Sequence, residues 1–216
     1  MPFSSFRRLS GVALVVGAAL GAAACGSSSS TTTTSPASGS ATSASSSTSA
    51  VTTATSAPVT VVGKKTDVVV NPKVSASLKH AGITVTGVAP ATAKTTWLFP
   101  VSGGSIVVAT LVGTVDHTGG LTFSHSGKSV TLSNPVVNTS TKQLTATVNG
   151  QSVPIFNMNL ASLKRAAGPK GTVVASNIKL TVTSQAASTL NSGLGVSTFK
   201  GGTNFGIATL TVAVKS

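Results

Sequence analysis

Apolar and polar residues alternate along most of the chain from Pro58 onward. A period of two residues is typical of a β-strand, whose successive side chains point to opposite faces. The pairs Gly103–Gly104, Gly119–Gly120 and Asn149–Gly150 interrupt the pattern and predict turns. The predicted strands lie in VTVVGKKTDVVVN (strand, turn, strand), ITVTGVAPA, SIVVATLVGTVDH, LTFSHSG, SVTLSNPVV, QLTATVNG, VPIFNMNL, TVVASNIKLTVT and IATLTVAVKS. Seven or more short strands without the spacing of βαβ units predict an antiparallel sandwich or barrel.

Two stretches depart from this alternation and predict short helices. PKVSASLKHAG has Pro72 near its start and Gly82 after its end, which are the usual boundary residues of a helix. LTVTSQAASTLNSGLGV has the same order of strand and helix, with Leu190 at the position of Leu78. The sequence therefore predicts one all-β domain at residues 58–216, an antiparallel β-sandwich with one or two short helices.

The strand pair around Gly119–Gly120 decides where the candidate binding residues lie. A three-residue loop pairs His117 with Leu121, whereas a two-residue loop turns the apolar side chains of the return strand to the polar face. Because burial sets the register of a strand, we expect the three-residue loop. His117, Phe123 and His125 then share the apolar face, with the two histidines roughly 13 Å apart.

The first residues have the layout of a secretory signal peptide. Arg7 and Arg8 precede the apolar stretch GVALVVGAALGAAA, which ends in small residues. A basic start, a short apolar run and a small-residue exit are typical of such peptides. The run is shorter than the about 20 residues that span a bilayer. We therefore predict a signal peptide at residues 1–24.

Cys25, the only cysteine, follows this run directly. The segment resembles a bacterial lipoprotein signal, with Ala22–Ala24 before the cysteine and Gly26 and Ser27 after it. The resemblance implies a thioether-linked diacylglycerol with acyl chains such as palmitate. It also implies an anchor on the extracytoplasmic face of the cell membrane. Leucine is usual three residues before the cysteine, where this chain has alanine. The alternative is ordinary signal-peptide cleavage, which leaves a free thiol on an exported protein.

The composition of residues 25–57 predicts a tether between the lipid and the domain. They are nearly all Ser, Thr, Ala, Pro and Gly. Such a composition buries too little apolar surface to offset the entropy of ordering the chain, so we expect a disordered linker. A flexible chain of this length reaches roughly 30 Å, enough to hold a domain clear of lipid headgroups.

The charge is strongly unbalanced, since 15 Lys and Arg face two acids, Asp67 and Asp116, for a net charge of +13. Most lysines are spread singly along the chain, without the clusters or motifs of nucleic-acid-binding domains. We therefore expect no nucleic-acid partner. A basic surface favours weak attraction to anionic polymers of the cell envelope or to lipid headgroups.

The sequence offers little for catalysis or for a metal ion. It has no Gly-x-Ser-x-Gly motif, and TFSHSGKS has Thr122 where a phosphate loop needs its first glycine. Asp116 and His117 are adjacent on a strand and point to opposite faces, so Asp116 does not orient His117 for a triad. Two histidines roughly 13 Å apart do not share one zinc ion. We predict no catalytic residue, no metal site and no enzyme activity.

Several motifs resemble those of the HtaA domain, a family of secreted or surface-held haem-binding modules of actinobacteria. They are FPVSGG, FSHSGKSVTLSNPVV, LTATVNG and FKGGTNFGIATLTV, between Phe99 and Val212. The resemblance covers about the C-terminal two-thirds of the chain and implies a β-sandwich with short helices. It also implies that His125 matches a histidine beside the haem. The family binds haem iron through a tyrosine of an N-terminal segment, and this chain contains no tyrosine.

Two functions of different classes follow. In the first, the protein is a lipid-anchored binding module of the envelope that holds haem or another flat apolar ligand, contacted by His125, His117 and Phe123. In the second, it is a structural or adhesive surface lipoprotein with no small-molecule ligand.

Overall fold

The structure is a computed structural model that describes residues 57–169 and 171–215. The predicted signal peptide, Cys25 and the linker up to residue 56 lie outside these residues. The two helices are α1 (Pro72–His80) and α2 (Ser184–Leu194). The strands are β1 (Val59–Val70), β2 (Thr84–Val88), β3 (Thr92–Ala93), β4 (Thr96–Val107), β5 (Val112–His117), β6 (Gly120–His125), β7 (Lys128–Asn138), β8 (Gln143–Val148), β9 (Gln151–Asn159), β10 (Lys164–Gly168), β11 (Thr172–Val182) and β12 (Asn204–Val214).

Eight strands form a closed antiparallel barrel. Their order is β7-β5-β4-β1-β12-β11-β9-β8, and a further pairing of β7 with β8 closes the ring. The strands β2 and β6 extend from β7, β3 pairs with β4, and β10 pairs with β11. The prediction of an all-β antiparallel domain is confirmed, but a barrel replaces the predicted sandwich. Closure occurs because Val136 to Asn138 of β7 hydrogen-bond on both sides, to β5 and to β8, so these strands have no free edge there.

The predicted hairpin at Gly119–Gly120 is wrong. Both β5 and β6 pair with β7, through Asp116 with Val136 and Gly120 with Ser133. The strands β5 and β6 therefore follow one another along β7. His117 does not face Leu121, and its partner is Val101 of β4. Gly119 serves close packing and not a hairpin turn, since a side chain there would overlap the backbone of Val88 and Ala91.

The turn that reverses the chain lies a few residues later, between β6 and β7. His125 pairs with Lys128 across two residues, Ser126 and Gly127, whose φ angles are 48° and 80°. Positive φ at both central residues is typical of the two-residue turns that match strand twist. The hairpin places His125 at the end of β6, outside the barrel ring.

Two other strand predictions need correction. VTVVGKKTDVVV is one strand, β1, in which a bulge between Val61 and Gly63 takes the place of the predicted turn. SIVVATLVGTVDH is two strands, because residues 108–111 turn the chain between β4 and β5. Gly103–Gly104 lies within β4, where the register also shifts. The predicted turn at Asn149–Gly150 is confirmed between β8 and β9.

The two predicted helices are confirmed, and side chains cap both. The Asn71 side chain accepts a hydrogen bond from the backbone N–H of Lys73 at the start of α1. The Thr183 hydroxyl does the same for Ala186 at the start of α2, which ends at Gly195 in the left-handed conformation. The buried face of α2 packs beside β7 and β9. Among the described residues, no helix is long and apolar enough to cross a membrane.

Candidate functional site

A groove of about 860 Å³ lies between α1 and the segment that leads from α2 into β12. We call it the α1 groove. Its volume is within the roughly 300–1,000 Å³ range of small-molecule sites. Its lining residues are Asn71, Lys73, Val74, Ala76, Ser77, Leu78, His80, Ala81, Val182, Ser197, Thr198, Phe199, Lys200, Thr203, Asn204 and Phe205.

The floor of the α1 groove is aromatic. Phe199 and Phe205 line it, and both are anchored in the core, with relative exposures of 8% and 2%. The ring of Phe199 contacts Phe123 with centroids 5.8 Å apart, and Phe205 contacts Trp97 at 5.2 Å. Trp97 and Phe123 also touch, edge to face, at 6.2 Å. The floor therefore belongs to a continuous aromatic cluster, which fixes its shape.

Two asparagines hold the walls of the groove in place. The Asn191 amide of α2 accepts a hydrogen bond from the N–H of Phe199 at 3.0 Å and donates one to its carbonyl at 2.9 Å. Asn71, the cap of α1, donates its backbone N–H to the carbonyl of Phe205 at 2.8 Å. The side chain of Asn71 also reaches the carbonyl of Asn204 at 3.4 Å. The groove is thus preformed by bonds from both helices.

The rim of the groove is cationic. Lys73 and Lys200 lie on opposite sides, and His80 ends α1. All three side chains are exposed, and no acidic residue lines the groove. An apolar floor with a basic rim suits a flat apolar molecule that carries anionic groups, and the exposed His80 imidazole is available as a metal ligand.

His117 lies instead inside the barrel, where both ring nitrogens are hydrogen-bonded. Its Nδ1 is 3.1 Å from the carbonyl of Pro135, which can only accept, so Nδ1 carries the proton. In the neutral ring, Nε2 then accepts from the hydroxyl of Thr66 at 2.7 Å. Burial lowers the pKa of His117 below its ordinary value, and the hydrogen bond to Pro135 and the charge of Asp116 oppose this only in part. His117 is therefore a neutral, satisfied core residue.

The cavity beside His117 is too small for the predicted ligand. It measures about 30 Å³ and is lined mainly by apolar side chains, among them Trp97, Leu132 and Ile155. About one probe sphere, roughly 10–15 Å³, holds one water molecule, so this space holds one or two. A flat molecule of the size of haem does not fit there.

The three residues predicted to contact a ligand are not brought together. Phe123 is buried beneath the floor of the α1 groove, between Trp97 and Phe199. His125 is half-buried and does not line the groove. Its Nδ1 lies 3.3 Å from the carbonyl of Leu194, the last residue of α2, and its Nε2 lies 3.3 Å from the hydroxyl of Ser126. Of the three, only Phe123 supports the groove.

Sequence reasoning missed the residues that line the groove, above all His80. The sequence shows only that His80 lies at the end of a helix, since Lys79 and His80 form a basic last turn on α1. Phe199 and Phe205 are the first and last residues of the stretch FKGGTNF, which carries part of the family resemblance. No group of three or more His, Cys, Asp or Glu side chains that could hold a metal ion is found within 57–169 and 171–215.

Comparison with known proteins places the fold. No protein-family model and no curated protein matches the sequence. The crystal structure of the C-terminal domain of HtaA from Corynebacterium glutamicum aligns with a TM-score of 0.54 at 15% identity, over 73% of this chain and 99% of that domain. The heme-binding protein HtaB from the same organism aligns with a TM-score of 0.42 at 13% identity, over 74% of this chain and 96% of HtaB. The domain described here therefore has the fold of the HtaA C-terminal domain.

Proposed function

We propose that the protein is a lipid-anchored binding module on the extracytoplasmic face of the membrane, and that the α1 groove holds haem or another flat apolar ligand. The observation that carries this proposal is the groove itself. It combines the volume of a ligand site, a buried aromatic floor and a cationic rim. The resemblance to HtaA domains supports the same class of ligand.

The residues of the groove fit the chemistry of haem. Val74 and Ala81, which are half-buried, supply an apolar surface for the macrocycle, and the buried Phe199 lies among the same lining residues. Lys73 and Lys200 supply positive charge for two propionates. His80 supplies an imidazole nitrogen, which is a common iron ligand. His80 thereby takes the role of iron ligand in a chain that contains no tyrosine.

The position of the groove also agrees with attachment at Cys25. Val59, the first residue of β1, pairs with Ile106 near the end of β4. The groove lies at the other end of the barrel, where β1 has ended and β12 begins. A chain attached to lipid before residue 57 enters the domain at the end away from the groove, so the groove stays accessible. The spread of lysines adds a weak attraction to anionic envelope polymers.

Titration of haemin into the chain from residue 25 onward, with Cys25→Ser to prevent lipidation, tests this function. We expect a saturable shift of the Soret band. His80→Ala should change the band and weaken binding by about tenfold or more, because it removes the axial ligand. Lys179→Gln is the control, since Lys179 is exposed on β11 and does not line the groove.

The alternative outcomes are distinct. If binding is lost in His125→Ala and kept in His80→Ala, the iron ligand is His125, which the family resemblance places beside the haem. If the chain that carries only Cys25→Ser gives no absorbance shift on titration with haemin, the haem proposal fails. The structural or adhesive role is then the better description of the protein.

A further inference from the structure

The barrel contains a large cavity at the end opposite the α1 groove. It measures about 190 Å³, and we call it the distal cavity. Six barrel strands, β4, β5, β7, β9, β11 and β12, contribute to its lining. Its buried wall residues include Ile106, Val115, Val137, Met158, Ile178 and Val212.

A cavity of this size is unusual in a protein interior, which is packed with few voids larger than a water molecule. An engineered apolar cavity of about 150 Å³ stays dry and binds benzene. The distal cavity is larger, and its wall is almost entirely aliphatic. The interior of an eight-stranded barrel is just wide enough to be filled by side chains or to hold one small ligand. Here leucine, isoleucine, methionine, valine and alanine side chains line the interior and leave a space of about 190 Å³ unfilled.

The mouth of the distal cavity lies between three loops. Thr110 and Leu111 belong to the β4–β5 turn, Thr139 and Lys142 to the β7–β8 turn, and Leu163 precedes β10. The hydroxyl of Thr139 donates a hydrogen bond to the carbonyl of Leu111 at 2.7 Å. It also accepts one from the N–H of Gly113 at 2.9 Å. The rim is therefore fixed by bonds between two of the loops.

The charged side chain that lines this mouth is a cation. Lys142 is exposed there, and neither acid of the chain, Asp67 or Asp116, lines the cavity. Nearby, the guanidinium of Arg165 donates to the carbonyls of Val108 and Ala109 and so braces the β4–β5 turn. An aliphatic interior below a positive rim matches an apolar chain that ends in an anionic group.

We propose that the distal cavity binds a free fatty acid, with the acyl chain inside the barrel and the carboxylate beside Lys142. The site is separate from the α1 groove, and the two share no lining residue. The proposal does not depend on haem binding.

Isothermal titration of octanoate into the chain from residue 25 with Cys25→Ser tests the proposal. We expect saturable binding of one octanoate per chain. Ala175→Leu fills the cavity and should weaken binding by about tenfold or more, because it displaces several methylene groups of the ligand. Val173→Leu, a smaller change in the same wall, serves if Ala175→Leu does not fold. Haemin titration of either variant should match the parent chain.

The charge is tested separately. Lys142→Gln should weaken octanoate binding by about two- to fivefold, as expected for one exposed ion pair, and leave 1-octanol binding unchanged. Absence of saturable octanoate binding, or unchanged binding in a folded cavity-filling variant, overturns the proposal. Equal effects of Lys142→Gln on octanoate and 1-octanol overturn the role of the carboxylate. Binding to phosphatidylglycerol vesicles without binding of octanoate would show that membrane lipid, and not a free fatty acid, is the partner.

Discussion

Acidification should destabilise the domain through His117. This imidazole is 4% exposed and neutral, with its two nitrogens bonded to Thr66 and Pro135. Burial keeps its pKa in the folded state below the ordinary value of 6.5. The unfolded chain therefore binds more protons than the folded chain once the pH falls below 6.5. The stability that His117 contributes is fully present above that pH and is lost as the pH falls towards the folded-state pKa.

The size of the effect follows from linkage. One group that is protonated only in the unfolded state lowers the free energy of unfolding by at most about 1.4 kcal/mol per pH unit. Across the unit below the ordinary histidine pKa, the loss is therefore at most about 1 kcal/mol. A domain is typically stable by about 5–15 kcal/mol, so the shift is measurable without unfolding the protein.

Urea denaturation at about pH 7.5 and about pH 5.5 measures this slope on either side of the histidine range. The parent chain should show a lower midpoint at the acidic pH, whereas His117→Gln should lose most of the difference. Glutamine keeps one donor and one acceptor but does not titrate. His80→Gln, the same substitution at an exposed histidine, is the matched control. An equal slope in His117→Gln and the parent chain would refute the reasoning.

Three further predictions concern other parts of the chain. Cys25→Ser should abolish incorporation of a tagged fatty acid and membrane partition, and label that persists in this variant would contradict lipidation. Limited proteolysis should leave a core that starts near residues 59–62, and a resistant fragment that keeps residues 35–49 would contradict a disordered linker. Gly113→Ala should destabilise the domain by about 2–4 kcal/mol in urea melts, because φ there is 148° and a Cβ would overlap the carbonyl of Ser105. Gly127→Ala is the comparison variant and should destabilise the domain less, because a Cβ there would meet no neighbouring atom.

The local parts of the fold were predictable from the sequence. Alternation sets which side chains of a strand face inward, and this holds for Val68, Leu210 and Val212, all buried as the pattern requires. Helix boundaries were also local, since α1 starts at Pro72 after the Asn71 cap. These features depend on residues within one or two turns of each other, which is the range that a sequence pattern describes.

The barrel and the groove were not predictable, because they depend on contacts between distant segments. Alternation is the same in a sandwich and in a barrel, and the difference lies in pairs such as Ser133 with Thr147, which join β7 to β8. The position of His80 in a groove depends on α1 lying opposite Phe199, more than a hundred residues later in the chain. Gly119–Gly120 misled the prediction because glycine permits both a turn and a close approach of two backbones.

The motif that carries the family resemblance has a structural explanation at nearly every position. Phe123 and Leu132 are buried in the core, and Gly127 has the positive φ that the β6–β7 turn requires. Asn134, the residue before Pro135, also has positive φ, and the carbonyl of Pro135 accepts a hydrogen bond from Nδ1–H of His117. A match to this motif therefore follows from sharing the hairpin and the register shift in β7 between Ser133 and Val136, whether or not a ligand is bound. His125 is the exception, since it is only half-buried and its two hydrogen bonds are 3.3 Å long. Packing does not dictate a histidine there, so comparing His125→Ala with His80→Ala separates the haem-side position that the resemblance implies from the groove that the structure itself forms.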